Sequence, residues 1–198
     1  MGSGTGRKSA QRAWFGALLF LLTMVMALGC GGVSVKRYIR PAADISAIES
    51  IAVLPLSNYT TDTHAAEKIR NKIGIELLSR GYNVIEPGEV MKSLGELKIR
   101  SVDDMGKEEI VNIAGLLNAD GIITGDVEVY GISDGIVVSY PEVSIHLRLF
   151  DSVTGNVIWS VGHTNGGPSF WTRHLGAEGR TLDAVSEQVI REAVDQLH

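Results

Sequence analysis

The spacing of hydrophobic positions changes character along the chain. Ala13 to Leu28 is sixteen residues without a charge. After a polar stretch, Ile51-Ala52-Val53-Leu54-Pro55-Leu56 forms a near-continuous apolar run, as a strand buried on both faces requires. Pro55 cannot donate to a ladder and is expected at that strand's end. Helical spacing follows in Ile69, Ile73 and Leu77, then in Val90, Met91 and Leu94, then in Ile110, Ile113, Ala114 and Leu117. Ser79-Arg80-Gly81 reads as a helix stop, Tyr82 to Ile85 as a short strand, and Asn118 as a left-handed terminator. Beyond Gly121 the period becomes two. The inward rows are Ile123, Gly125, Val127 and Val129, then Val143, Ile145, Leu147 and Leu149, then Val157, Trp159 and Val161. Leu182, Val185, Val189, Ala193 and Leu197 define a closing amphipathic helix. Its other face, with Asp183, Glu187, Arg191, Glu192 and Asp195, reads as solvated.

The predicted order is β-α-β-α-α-β-β-β-α, an α/β fold. Strands joined by helices are expected to be parallel and the last three antiparallel, with helices packed mainly on one face of a mixed sheet. The last two strands are joined by Asp151 to Asn156. Their inward rows are both odd-numbered, so the turn needs an odd-sized connection or a bulge. Thr154-Gly155 suits a turn that ends in a left-handed glycine, with positive φ at Gly155.

The first thirty residues read as an address. Arg7, Lys8 and Arg12 precede the charge-free run, which is short of the roughly 20 residues of a membrane span. A basic start, an apolar stretch and small residues are the parts of a secretory signal. Ala27-Leu28-Gly29-Cys30 resembles the lipobox of bacterial lipoproteins. That resemblance implies cleavage before Cys30 and acylation of the cysteine, an anchor of several acyl chains. Gly31, where inner-membrane retention uses Asp, implies the outer membrane and its periplasmic face. The expected division is a signal peptide at 1–29, a lipidated cysteine and tether at 30–49, and a single domain at 50–198. Lys36, Arg37 and Arg40 fall in that tether.

Net charge is −5, and −8 once residues 1–29 are set aside. An acidic domain without a basic stripe argues against a nucleic-acid partner. Cys30 is the single cysteine, so an intramolecular disulfide and a multi-thiolate zinc site are excluded. His64, His146, His163, His174 and His198 form no zincin pattern, and no metal or cofactor is expected. No G-x-S-x-G elbow is present. Asp103-Asp104 is expected at a helix start, where acids complement the dipole. Asp126 and Glu128 would lie near His146 and Arg148 if their strands pair, as cross-strand charge pairs. No catalytic residue is assigned. The segment 166–176 sets Phe170, Trp171, Arg173 and His174 among glycines. Trp and Arg are common interface anchors, and Phe170, Trp171 and Arg173 are the candidate partner contacts, with plugging of the sheet's end as the other reading.

Ile51 to Asn58, Ser79 to Ile85, Leu117 to Gly121, and Asp151-Ser152-Val153-Thr154-Gly155-Asn156-Val157-Ile158-Trp159 occur in an order that resembles one family of domains. It is shared by curli-secretion-channel proteins, the amino-terminal domain of TolB, and lipoprotein activators of penicillin-binding proteins. The resemblance implies a non-enzymatic envelope protein that faces the periplasm and binds other proteins or itself. The segment from Gly131 to Glu142 is shorter than the insertions with which curli channels build a barrel. The alternatives are a periplasmic hydrolase, which needs a polar cluster in a cleft, and a small-ligand carrier, which needs an apolar pocket.

Overall fold

The computed structural model describes residues 34–41, 43–134, 139–166 and 180–197. The strands are β1 (Ser34–Ile39), β2 (Ser50–Val53), β3 (Ser57–Asn58), β4 (Asn83–Val84), β5 (Gly121–Asp134), β6 (Ser139–Asp151) and β7 (Val157–Gly166). The helices are α1 (Ala65–Ser79), α2 (Pro87–Glu96), α3 (Lys107–Leu117) and α4 (Leu182–Val194), with 3-10 turns at Ile45–Ala47 and Asp195–Leu197.

All seven strands join one open sheet in the order β1-β7-β6-β5-β2-β4, and β3 pairs with β5 beyond the end of β2. β4, β2 and β5 are parallel; β5, β6, β7 and β1 are antiparallel neighbours. This is the expected mixed sheet of an α/β fold. The helices differ from expectation, because they divide between both faces. Ile51 and Val53 point into a core shared with α1 and α4. Ala52 and Leu54, one residue out of phase, point into a second core under α2 and α3. The continuous apolar run of β2 is therefore required by two helical layers, and the parallel half of the sheet is three layers thick.

The helix boundaries follow local chemistry. α1 buries Ala65, Ile69, Ile73 and Leu77 and stops at Gly81, whose φ is +88°. Pro87 opens α2, where a missing N–H costs nothing. Met91, expected inward, is 53% exposed, while Ser93 takes the buried position beside Leu94. α3 begins after Gly106, whose N–H donates to Glu109 Oε2 at 3.0 Å, and ends on Asn118 at φ +48°. Asp103-Asp104 thus lie before the helix, and its first-turn acids are Glu108 and Glu109.

Two further differences concern strands. β1 occupies residues assigned to the tether: Ser34 to Ile39 pair antiparallel with Thr164 to Trp159. No apolar alternation announces this strand; its partner is more than a hundred residues away. In β5 a bulge between Val127 and Val129 inserts Glu128 and flips the parity. Tyr130, not Val129, is the buried residue beyond it, and Lys68 Nζ lies 5.5 Å from the centre of its ring. The β6–β7 turn is as expected. Gly155 has φ +62°, its N–H donates to Asp151 O at 2.9 Å, and Thr154 N–H donates to Asp151 Oδ1 at 2.7 Å.

The acidic face of α4 is not simply solvated. Lys72 of α1 reaches Asp183 at 2.6 Å and Glu187 at 3.4 Å, and Arg80 reaches Asp195 at 2.7 Å. Glu192 meets His163 at 2.7 Å, and the imidazole is fully buried under α4. The inward row of β7 thus continues from Trp159 and Val161 into His163 and Asn165, both polar and both buried.

Candidate functional site

Cys30 and the interface candidates Phe170, Trp171 and Arg173 lie outside the described residues, as do His174 and His198. The flanks of the 166–176 segment are in place: it leaves β7 at Gly166, and the chain returns at Arg180 before α4.

The candidate chemical groups of the strands do come together. Asp126 of β5 stands directly opposite His146 of β6. Its Oδ2 is 3.6 Å from His146 Nδ1, and His146 Nε2 hydrogen-bonds Ser160 Oγ of β7 at 2.9 Å. One step along the sheet, Ser144 Oγ donates to Glu128 Oε2 at 2.8 Å and lies 2.8 Å from Thr164 Oγ1. Burial holds the Asp126 carboxyl above its usual range; His146 pulls it down and Glu128 pushes it up. The order acid, imidazole, hydroxyl is that of a nucleophilic triad. A triad also needs free donors for the developing oxyanion. Ser160 sits mid-strand between Tyr38 of β1 and Arg148 of β6, so the backbone donors around it are committed to ladders. The arrangement binds three strands to one another through their polar face. Among the described residues no group of three or more His, Cys, Asp or Glu is placed to hold a metal ion.

Asp120 falls within the Leu117 to Gly121 segment, where the sequence alone assigns it no role. It proves to be a junction. Its Oδ2 accepts from Glu49 N–H, Ser50 N–H and Ser50 Oγ at 3.1, 2.8 and 2.9 Å. Its carbonyl accepts from Ser152 N–H at 3.1 Å. The start of β2, the start of β5 and the β6–β7 turn are thereby fixed together. Those donors, Ser50 first, hold the Asp120 carboxyl below its usual range.

Two cavities open beside the parallel half. One, of about 500 Å³, lies past the end of β2 between Pro55 to Ser57, α2 and the segment Ile99 to Asp103. The Ser57 hydroxyl donates to Asp103 at its rim. The other, of about 240 Å³, is a groove between α1 and the β4 edge. Arg70, Ile75 and Leu78 form one wall, and Val84, Ile85 and Pro87 the other. Ile75 is 67% exposed and Leu78 57%, so the helix presents apolar side chains to solvent above a strand edge that is unpaired among the described residues. Arg70 Nε donates to Val53 O at 2.9 Å, while its Nη2 is sealed from solvent without a partner among the described residues.

Among the described residues no helix is long and apolar enough to cross a membrane. No curated protein matches the chain significantly. Solved structures do share the fold. PelC from Paraburkholderia phytofirmans, crystallised as a dodecamer, aligns with TM-score 0.60 and 22% identity over 84% of this chain and 97% of that one. Lipoprotein GNA1162 from Neisseria meningitidis aligns with TM-score 0.56 and 21% identity over 75% of this chain and 96% of that one. LpoB from E. coli is more distant, with TM-score 0.45 and 15% identity over 61% of this chain and 59% of that one. Residues 42–198 match the family model described as "Putative lipoprotein GNA1162-like", and the chain belongs to that family.

Proposed function

We propose that this protein is a lipid-anchored module of the bacterial envelope that works by binding proteins, itself included, and not by catalysis. The observation that carries the reading is the open sheet: among the described residues both its edges are unpaired, and one of them lies beneath exposed apolar side chains. An uncovered edge is a template for another chain. Membership in a lipoprotein family and the lipobox-like Ala27-Leu28-Gly29-Cys30 support anchoring through Cys30, and Gly31 supports the periplasmic face of the outer membrane. The fold it shares with PelC, crystallised as a dodecamer, supports self-association as one mode of binding. Phe170, Trp171 and Arg173 are offered as a second contact surface, with Trp171 as its anchor.

Two measurements test this. Metabolic labelling with a fatty acid should tag the wild-type chain and leave Cys30→Ser untagged and unprocessed; an untagged wild type would end the anchoring claim. Crosslinking in intact envelopes should capture specific protein partners. Trp171→Ala should weaken that capture at least about tenfold, as loss of an interface anchor does, with little change in thermal stability. If Trp171→Ala instead unfolds several degrees earlier and capture falls only in proportion, Trp171 is a plug for the sheet.

A small-ligand carrier is the second reading, and the 500 Å³ cavity favours it because ligand sites commonly fall in that range. Ligand-dependent thermal stabilisation that is lost on filling the cavity with Gly95→Phe would move the assignment to that reading.

A further inference from the structure

We propose that copies of this chain assemble head to tail, the β1 edge of one adding as a strand to the β4 edge of the next. The proposal deepens the protein-binding reading by naming the partner, a second copy, and the two surfaces that meet.

β1 and β4 are the two ends of a single sheet. Arg40 N–H donates to Ile158 O at 2.9 Å. In an antiparallel ladder the backbone groups of alternate residues share a side. Arg40, Tyr38 and Lys36 therefore turn theirs to β7, and Ile39, Arg37 and Val35 turn theirs outward. On β4, the N–H groups of Asn83 and Ile85 donate to Glu49 and Ile51 at 2.8 and 3.0 Å. By the same alternation Val84 faces outward. Among the described residues, each end of the sheet thus turns backbone N–H and C=O groups outward.

The side chains match as well. On β1, Ile39 packs on the α1/α4 side of the sheet, and Arg37 and Val35, two and four residues back in the same row, are exposed, Val35 to 38%. On β4, that side is the groove under Ile75 and Leu78. A sheet that continues from copy to copy keeps its faces, so the Val35 row enters the groove. The opposite row, Lys36 and Tyr38, passes on the side of α2, where Glu86 and Glu89 are exposed. Lys36 of β1 thus meets acids at the β4 end, in a domain whose overall charge is negative.

The direction also fits. β4 runs parallel to β5, and β1 runs opposite to β5 through the alternation of β6 and β7. Copies held in one orientation therefore join β1 to β4 antiparallel. Such a contact uses two different surfaces, so it propagates into a ring or filament instead of stopping at a dimer.

The test uses the mature chain and two edge variants. Ile75→Glu with Leu78→Glu spoils the groove at exposed positions. Val35→Pro removes an N–H that points outward and so breaks no internal bond. Native mass spectrometry and sedimentation should find wild-type chain in closed or extended oligomers. Each variant should weaken the junction by about thirtyfold or more, as loss of a central contact does, and run as a monomer with unchanged circular dichroism. Mixing the two variants should restore one junction, the intact β1 edge of the groove variant on the intact β4 edge of the Val35→Pro variant, and yield a heterodimer. A monomeric wild type, oligomers that survive both variants, or a mixture that stays monomeric would each overturn the proposal. If envelope crosslinking still captures another protein in those cases, the protein-binding reading stands and only the head-to-tail junction falls.

Discussion

The two halves of the sheet solve the problem of burial differently. In the parallel half, Ile51, Ala52, Val53 and Leu54 are all at most 3% exposed, because helices cover both faces. In the antiparallel half, among the described residues, helices cover one face only. The other is closed by polar side chains that bond across strands: Asp126, His146 and Ser160, and Glu128, Ser144 and Thr164. Double coverage leaves no place for a charge and reads as a continuous apolar run. Single coverage leaves a face where ionisable groups are only partly hydrated; Arg148 Nε is buried there without a partner among the described residues. A buried polar group without a partner costs more than a formed hydrogen bond contributes. The first half is therefore held by packing, and the second balances packing against polar compromise.

The hardest blow to that contrast is core truncation in each half. Trp159 is fully buried under α4, and its Nε1–H donates to Gln196 O at 2.9 Å. Trp159→Ala should cost about 3–5 kcal/mol and Leu54→Ala, in the other core, about 2–5 kcal/mol. Chemical denaturation should show one transition for both variants. Two separate transitions would mean that the halves fold as independent units.

The junction between halves comes next. The β6–β7 turn rests on the start of α3, where Lys107 Nζ donates to Asn156 Oδ1 at 2.6 Å. A Cβ on Gly155 would lie 2.6 Å from Lys107 O, and the backbone there has φ +62°. Gly155→Val should cost about 1–3 kcal/mol through strain at that φ and overpacking. A loss below about 0.5 kcal/mol would show that the turn can move away from α3.

The smallest effects distinguish two carboxylates, one at the edge of each regime. Asp120, welcomed by three donors, has its pKa lowered. Its contribution is present above the ordinary carboxylate value of 3.8 and is lost as pH falls through the lower folded value. Asp120→Ala should cost about 1–2 kcal/mol at neutral pH, and the gap should close in acid. Asp126 has the opposite shift, because burial outweighs His146. The fold binds its proton more tightly than the unfolded chain does, so its ionised form is disfavoured at neutral pH. Asp126→Asn should be neutral or stabilising by up to about 0.5 kcal/mol at pH 7, and the difference should vanish below 3.8. Thermal melts across acid pH read both signs. A clear loss for Asp126→Asn at neutral pH would make the polar face a net attractive network.

The periodic elements were legible because their signals are local. Ile69, Ile73 and Leu77 name the buried face of α1, and Gly81, Asn118 and Gly155 name conformations that few residues adopt. What could not be read depends on distant partners. Ser34 to Ile39 has no alternation of its own and becomes a strand only because Trp159 to Thr164 lies beside it. The bulge at Glu128 is set by pairing with β6, so the parity at Val129 and Tyr130 was invisible. Glu192 reads as a solvated helix residue until His163 is placed beneath it. The groove wall was hidden for the same reason: Ile75 and Leu78 look like ordinary strays on a polar face until the β4 edge is set beside them.

The early start of β1 has a consequence for how such a molecule would search for partners. From Cys30 to Ser34 the chain can span at most about 14 Å. If the sulfur of Cys30 carries lipid, the first strand is held within that distance of the headgroups. The domain then explores a thin layer and two dimensions, with little freedom to tumble. Confinement of this kind raises the effective concentration of every neighbour anchored in the same leaflet, so contacts too weak to persist in bulk solution would form readily at the membrane.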